Sequence, residues 1–292
     1  EILYPIIARG RQGDVNHVLD HSDAGLLRFL DRERTVVTCH DLIPLDYPSE
    51  GSILGMERYR LNIGCLSLAA KIIAVSERTK KSVLEHFGYN ERDIEVIWPG
   101  VFEAFRPLGR RDELRKKYGV TRTAVLHIGT SFPKKNVELI LGVIKEREDI
   151  TLIKVGNFTK RQSAFIKEHG LGARIKSFSG VTRDTLVELY NAADILFMPS
   201  FAEGFGLPVL EAMACGCPVV CSDIEVFHEL YEGAALFFDH HSPADAVNKI
   251  DTLLRRTDLR DGFSGKGLAR AKEFSWRECA RRTYGLYEEI CG

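Results

Sequence analysis

A segment rich in glutamate and glycine carries the clearest chemistry in this sequence. It reads Glu203-Gly-Phe-Gly-Leu-Pro-Val-Leu-Glu211 and follows a short apolar run. Gly204 and Gly206 form a flexible turn that lets a ligand approach the backbone closely, and Pro208 suits the first turn of a helix. The backbone N–H groups of residues 205–207 would then form an anion site at the helix N-terminus.

The two glutamates of this segment can point into the same cleft. Glu203 precedes the turn, and Glu211 lies about one turn into the helix. A helix cap or a surface position explains Glu203 adequately. Glu211 lies among apolar neighbours, where an unpartnered carboxylate is costly to bury. We therefore expect Glu211 to bind a polar group of a ligand.

A second polar segment, Gly129-Thr-Ser-Phe-Pro-Lys-Lys-Asn136, follows another apolar run. The ammonium groups of Lys134 and Lys135 can stabilise negative charge on a ligand. A solvated turn is the alternative interpretation, which the nearby glutamates make less favourable. The carboxylates of Glu203 and Glu211 would also suit glycoside hydrolysis by an acid/base pair. A hydrolase, however, needs no binding site for an anion.

Histidines follow two further runs of strand type. His40 and Asp41 come directly after the run that ends at Cys39, and His21 follows an earlier run at residues 15–19. A histidine in such a place is often a packing or capping residue. At the end of a parallel strand it can also reach a ligand.

Short apolar runs alternate with longer amphipathic segments along the chain. Each run is followed by Gly, Ser, Pro or Asn and usually by a helical pattern, which is typical of parallel βαβ units. Ligands bind at the carboxyl ends of such strands, which is where the polar residues lie. The sequence therefore predicts an α/β fold, with strands at Val36–Cys39, Lys71–Val75, Ile94–Ile97, Ala124–Ile128, Thr151–Val155, Ile195–Met198 and Pro218–Cys221.

Composition excludes several classes of protein. The 292 residues include 40 Lys+Arg and 41 Asp+Glu, a net charge of −1, which is not the basic surplus of a nucleic-acid-binding protein. No apolar run approaches the ~20 residues that span a bilayer. The seven cysteines are irregularly spaced and favour a reducing, cytoplasmic compartment. Cys215, Cys217 and Cys221 lack the spacing of a zinc site, so we interpret them as buried apolar residues.

Five segments together resemble the retaining glycosyltransferases of family 4. The 203–211 segment resembles the family's signature of two glutamates separated by seven residues, and 129–136 resembles its phosphate loop G-x-x-x-P-R-K-N. Residues 36–44 resemble V-x-T-x-H-D-x-x-P, and residues 73–80 resemble I-A-V-S-x-x-S/T-K. Phe274-Ser-Trp276 resembles the start of the family's last helix.

The resemblance implies the GT-B fold, in which two Rossmann-like domains face each other across a cleft. It implies an N-terminal acceptor-side domain at residues 1–108, a nucleotide-sugar domain at 109–274 and a terminal helix at 275–292 that crosses back. Family members usually open with a strand and a glycine-rich loop that nothing before Tyr4 provides. We therefore expect the first domain to be incomplete, with an upstream segment missing or supplied by a partner chain.

The resemblance also assigns roles to individual residues. It implies that Glu211 holds the ribose hydroxyls and that Glu203 bonds the donor sugar. Lys135 would neutralise the diphosphate, with Lys134 beside it, and Thr130 stands where the family often has Arg. The catalytic residues implied are His40, Lys135 and Glu203, the acceptor-side residues are His21 and Asp41, and the donor-binding residues are Thr130, Lys134, Lys135, Glu203, Gly204, Phe205, Gly206, Leu207 and Glu211.

The implied activity is transfer of a hexose, with retention and without a metal or other cofactor, from a nucleotide sugar to a glycan or lipid-linked acceptor. Mannose from GDP-mannose is favoured by the forms of the motifs. A non-catalytic nucleotide-sugar-binding subunit and a sugar-nucleotide epimerase stay as alternatives. The basic segment 110–118 is interpreted as a solvated helix face. The alternative is a peripheral membrane contact at the inner face.

Overall fold

The fold is known from a computed structural model of the protein, which describes residues 3–47 and 53–292. Two compact units make up the chain. The first comprises residues 1–100, 203–205 and 275–292, and the second comprises residues 101–202 and 206–274. Both are built from parallel strands and helices, so the α/β class with two Rossmann-like units expected of a GT-B protein is confirmed.

Regular elements alternate along the chain as the sequence predicts. The strands of the described residues are β1 (Asn16–Val18), β2 (Thr35–Cys39), β3 (Lys71–Ala74), β4 (Ile94–Val96), β5 (Thr123–Ile128), β6 (Ile150–Val155), β7 (Ile175–Phe178), β8 (Ile195–Met198), β9 (Val219–Ser222) and β10 (Leu236–Phe238). The α-helices are α1 (Leu3–Arg9), α2 (Ile43–Asp46), α3 (Ile53–Ile63), α4 (Glu77–Phe87), α5 (Arg111–Lys117), α6 (Val137–Glu146), α7 (Lys160–Glu168), α8 (Arg183–Ala192), α9 (Leu207–Ala214), α10 (Glu225–Tyr231), α11 (Pro243–Arg255), α12 (Thr257–Ala271) and α13 (Trp276–Cys291).

The first unit contains a four-stranded parallel sheet in the order β1-β2-β3-β4. Because side chains alternate along a strand, Val37 of β2 joins the core cluster on one face of the sheet. Val36, the preceding residue, joins Leu286 of α13 in a separate cluster. The terminal helix therefore covers a face of the first sheet, and His17 Nδ1 lies 2.5 Å from Tyr287 Oη of that helix.

The second unit contains a six-stranded parallel sheet in the order β10-β9-β8-β5-β6-β7. The chain first proceeds outward from β5 through β6 and β7, and then returns to the other side of β5 and proceeds outward through β8, β9 and β10. The strand order therefore reverses between β5 and β8, which are hydrogen-bonded neighbours. In open α/β sheets the crevice at such a switch point is where ligands bind.

The basic segment before β5 pairs with acids of its own unit. Arg111 and Arg115 contact the carboxylate of Asp194 at 2.5 and 2.9 Å, and Lys117 contacts Glu188 at 2.5 Å. Arg110 also contacts Glu188. These ion pairs join α5 to Glu188 of α8 and to Asp194 just after that helix. The interpretation of the segment as a solvated helix face stays a prediction.

Seven predicted strands are confirmed to within one or two residues at their ends. Two others, β7 and β10, were not predicted. Lys176 and Ser177 interrupt the apolar pattern of β7, and β10 has only three residues. Among the residues that the structure describes, no helix is both long and apolar enough to cross a bilayer.

The loops after β5 and β6 approach each other so closely that a side chain cannot fit between them. Gly156 has φ +113°, and a Cβ built on it would lie 2.1 Å from the carbonyl oxygen of Gly129. Gly156→Ala is therefore expected to lower the free energy of unfolding by about 1–3 kcal/mol, as measured by urea denaturation. Gly142→Ala is the control, because its Cβ would meet nothing within 4 Å. Equal stability of the two variants would contradict the tight approach.

Candidate functional site

The loop after β5 is shaped to present its lysines and its backbone. Pro133–Lys135 forms a single 3-10 turn, and Asn136 then adopts the left-handed conformation with φ 49° before α6 begins. Gly129, with φ +154°, donates its N–H to the carbonyl of Val155 at 3.1 Å. This bond ties the start of the loop to the end of β6, so that the loop is held at the carboxyl edge of the sheet.

Loops that follow β5 and β8 meet at the switch point. The backbone N–H of Phe201, just after β8, donates to the carbonyl oxygen of Lys134 at 2.8 Å. Lys134 and Lys135 are both half-buried, and Thr130 is exposed. A cavity of about 480 Å³ is lined by the segments that follow β5, β6 and β7. Its lining residues are Ile128, Gly129, Thr130, Ser131, Val155, Gly156, Asn157, Phe158, Thr159, Ser179 and Gly180.

Helix α9 begins at a glycine that no other residue could replace without strain. Gly206 is its N-cap with φ 86°, and a Cβ there would lie 2.5 Å from the ring of Phe227. The carbonyl of Gly206 accepts hydrogen bonds from the N–H of Val209 at 2.8 Å and from the hydroxyl of Tyr231 at 3.3 Å. These contacts fix the first turn of α9, which carries Leu207 and leads to Glu211.

Glu211 is a largely desolvated carboxylate with one strong protein partner. The hydroxyl of Tyr190, which is 1% exposed, donates to Glu211 Oε2 at 2.8 Å. Burial raises the pKa of the Glu211 carboxyl to about 7, although the Tyr190 hydrogen bond and the Arg183 cation lower it. The hydrogen bond from Tyr190 to Oε2 fixes the orientation of the carboxylate. The other oxygen, Oε1, can accept hydrogen bonds from a ligand.

Residues 203–205 belong to the first unit. Ser76, the N-cap of α4, donates its hydroxyl to the carbonyl oxygen of Gly204 at 2.7 Å. A Cβ on Gly204 would lie 2.0 Å from the carbonyl oxygen of His40, so a glycine is required at this position. The predicted residues Glu203, Gly204 and Phe205 are therefore held against the carboxyl ends of β2 and β3.

His40 and Asp41 directly follow β2, and the backbone of His40 is hydrogen-bonded to the side chain of His21. The N–H of His40 donates to Nδ1 of His21 at 3.2 Å, and the Nε2 atom of His40 lies 3.0 Å from the carbonyl oxygen of Leu19. The carboxylate of Asp41 accepts from the N–H of Ile43 at 3.1 Å. His40 is exposed and His21 is buried, so His40 is the histidine that a ligand can reach.

The predicted site residues thus divide between the two units. Those of the second unit lie at the carboxyl edge of its sheet, and those of the first lie at the end of β2 and beside α4. The second-unit group is Thr130, Lys134, Lys135, Gly206, Leu207 and Glu211, and the first-unit group is His21, His40, Asp41, Glu203, Gly204 and Phe205. Their individual roles stay predictions.

Three residues of the second unit were not predicted from the sequence. Tyr190 orients Glu211, and His127 and Lys154 are both fully buried beneath the loop after β5. A polar side chain inside an apolar strand run is the signal that could have identified His127 and Lys154, because both faces of a parallel sheet are covered. Within residues 3–47 and 53–292, no group of three or more His, Cys, Asp or Glu residues is arranged to hold a metal ion.

Two family profiles match the chain. The profile described as "Glycosyl transferases group 1" matches residues 110–269, and the profile described as "Glycosyltransferase Family 4" matches residues 4–104. Together they extend over most of both units.

Two relatives are similar in sequence. O-antigen chain mannosyltransferase B of Escherichia coli is 30% identical over 271 residues, which cover 88% of this chain and 70% of the relative. D-inositol 3-phosphate glycosyltransferase of Streptomyces bingchenggensis (strain BCW-1) is 28% identical over 241 residues, which cover 76% of this chain. The chain matches only 53% of the length of that second relative.

Two solved structures show the same fold. Sucrose-phosphate synthase from Thermosynechococcus elongatus superposes with a TM-score of 0.85 at 20% identity, covering 98% of this chain and 76% of that one. Anabaena HepE in complex with UDP superposes with a TM-score of 0.79 at 20% identity, covering 99% of this chain and 81% of that one.

The burial of Glu211 predicts how stability depends on pH. Its pKa in the folded chain, about 7, lies above its ordinary value of 4.5, so the parent loses stability as pH rises from about 4.5 to about 7. Glu211→Gln removes this loss and keeps an oxygen that can accept from Tyr190. We expect this variant to gain stability relative to the parent over that interval, in urea denaturation at pH 5 and pH 8.

Glu188→Gln is the control, because the pKa of Glu188 is shifted in the opposite direction and the expected change in stability is therefore opposite. Hydrogen bonds from Lys117 and Tyr118 hold the pKa of the Glu188 carboxyl below its ordinary value. The ionised Glu188 therefore stabilises the fold above its unfolded pKa, and this stabilisation is lost as pH falls through the folded pKa. We expect Glu188→Gln to be less stable than the parent at pH 8. If Glu211→Gln were destabilised at pH 8 in the same way, Glu211 would not be a strained carboxylate.

Proposed function

The chain belongs to the glycosyl transferases group 1 family, and on this premise we propose that it transfers a hexosyl group from a nucleoside diphosphate sugar to a glycan or lipid-linked acceptor. The transfer retains the configuration at the anomeric carbon. One observation carries the proposal: the lysine-bearing loop after β5 and helix α9, which carries the half-buried Glu211, follow neighbouring strands, where the order of the sheet reverses.

Charge at this edge of the sheet supports a diphosphate leaving group. When the bond from the sugar to the diphosphate breaks, negative charge develops on the departing nucleotide. Lys135, with Lys134 beside it, and the N-terminus of α9 supply positive charge there. Fixed groups of this kind stabilise a transition state electrostatically without reorganising, so we propose that no metal ion is needed.

Glu211 suits the recognition of a ribose. Its second oxygen accepts from a ligand hydroxyl in a charge-assisted hydrogen bond, which is stronger than a neutral one. The partly apolar surroundings strengthen that bond further, because the local dielectric is low. Since the ionised carboxylate is the better acceptor, nucleotide binding is expected to improve as pH rises through about 7.

GDP-mannose is the donor that we propose first. The mannosyltransferase relative from Escherichia coli supports a mannosyl donor. The complex of HepE with UDP makes UDP sugars a second donor class to test. His40, Glu203, His21 and Asp41 are proposed as the sugar-side and acceptor-side residues.

We also propose a cytoplasmic location. All seven cysteines are free thiols and five of them are buried, which agrees with a reducing compartment. Peripheral contact with the inner face of a membrane stays a prediction.

The experiment is a measurement of donor hydrolysis and transfer with GDP-mannose, UDP-glucose and other nucleotide sugars. Lys135→Met is expected to lower the turnover rate by roughly 100- to 1000-fold, because the leaving diphosphate loses its cation. Glu211→Ala is expected to weaken nucleotide binding, because the ribose loses its acceptor. Lys167→Met is the control, since Lys167 is an exposed lysine of the same unit. NMR of the product's anomeric proton tests retention, and turnover in EDTA tests metal independence.

The outcomes separate the alternatives. Nucleotide binding that survives both Lys135→Met and Glu211→Ala would contradict the assigned site. Tight donor binding without turnover would favour a nucleotide-sugar-binding subunit, and release of an epimerised sugar or sugar nucleotide would favour an epimerase.

A further inference from the structure

Lys154 is a buried cation directly behind the loop after β5. The residue is 0% exposed. Its Nζ donates to the carbonyl oxygen of Gly129 at 2.6 Å and to that of Val155 at 2.9 Å. Among the residues that the structure describes, no carboxylate forms an ion pair with it. The ammonium therefore joins the ends of β5 and β6, but its charge has no protein counter-ion.

The neighbours of Lys154 add no negative charge. His127 faces it in the register of β5 and β6 and is also 0% exposed. Burial, with the cations Lys154 and Lys135, lowers the pKa of His127 to about 3, so that the imidazole is neutral. Its Nε2 has no hydrogen-bond partner within the described part of the chain.

The side chain of Lys135 packs against the same glycine. A Cβ built on Gly129 would lie 3.6 Å from Lys135 Cε and equally 3.6 Å from His127 Nε2. Burial and the charge of Lys135 lower the pKa of Lys154 to about 8. Both lysines therefore lie close to one glycine, and the charge of Lys135 disfavours the ammonium form of Lys154.

A charge in this position is costly unless something compensates it. A buried ion without a counter-ion carries a large desolvation penalty. The carbonyls of Gly129 and Val155 offset only part of that penalty, and neutral side chains can also join two loops. An anion bound on the outer side of the Gly129 loop would supply the missing negative charge.

We infer that Lys154 is a positioning residue of the phosphate site, which holds the Gly129 carbonyl from behind the loop and provides a buried positive charge that the diphosphate of a bound nucleotide neutralises. The inference rests on the proposed function, because it assumes that the loop binds a nucleoside diphosphate. Lys154 does not contact the anion itself, so it acts through the loop and through the field of its charge.

This arrangement couples nucleotide binding to protonation. At pH 8.5 a substantial fraction of Lys154 is the neutral amine in the free protein. The bound anion favours the ammonium form, so the amine takes up a proton from the solvent when the nucleotide binds. Linkage is reciprocal, so protonation strengthens binding by the same factor. At this pH His127 is neutral and Glu211 is ionised, so neither masks the uptake.

Isothermal titration calorimetry with GDP and with UDP tests the coupling. Titrations at pH 8.5 in two buffers of different ionisation enthalpy give the number of protons exchanged. We expect the parent to take up a measurable fraction of a proton, and Lys154→Met to bind 5- to 150-fold more weakly, the range of typical coupling energies. In Lys154→Met the proton uptake is abolished, whereas Lys167→Met, an exposed lysine in the same unit, keeps both affinity and uptake.

The outcomes distinguish this inference from the proposed function. A parent that binds neither nucleotide contradicts the proposed function. A parent that binds GDP or UDP without proton uptake at pH 8.5 contradicts the role of Lys154, and so does a folded Lys154→Met that binds as tightly as the parent. If Lys154→Met does not fold, the proton uptake of the parent still decides, because that measurement needs no variant.

Discussion

The candidate site depends on one constraint: the carboxyl ends of parallel strands lie on the same edge of a sheet. In the second unit the strand order reverses between β5 and β8, and the edge of an open α/β sheet at such a reversal is where ligands bind. The hydrogen bond from Phe201 to the Lys134 carbonyl joins the segments that follow these two strands. Residues far apart in sequence, Lys135 and Glu211, thereby lie on segments that leave adjacent strands.

Burial of charge is the second feature that unites this edge. Glu211 and Lys154 are both desolvated. Desolvation raises the pKa of the Glu211 carboxyl and lowers the pKa of the Lys154 ammonium, so it favours the uncharged form of each group. Each has neutral hydrogen-bond donors or acceptors in the protein, Tyr190 for Glu211 and two carbonyls for Lys154. Both therefore lower the stability of the free fold, a trade-off that is common at functional sites.

Local sequence patterns were sufficient to predict most of the strands. The apolar runs predicted seven strands because strands buried on both faces are continuously apolar. The same pattern does not predict β7, because Lys176 and Ser177 interrupt it on a partly exposed edge strand. It also does not predict β10, which has only three residues. The sequence attributed the glycines at 204 and 206 to close approach of a ligand, whereas in the structure the atoms that approach them are the His40 carbonyl and the Phe227 ring.

The sequence by itself determined the α/β class, the alternation of strands and helices, and the polar loops at strand ends, because these follow from residue types at short spacing. Only the tertiary structure decided that Tyr190 orients Glu211 and that Lys154 lies behind Gly129 with no carboxylate partner among the described residues. Those relations depend on which strands become neighbours and on how closely the loops after β5 and β6 approach. Spacing along the chain does not contain that information, because contacts between distant segments are selected by packing.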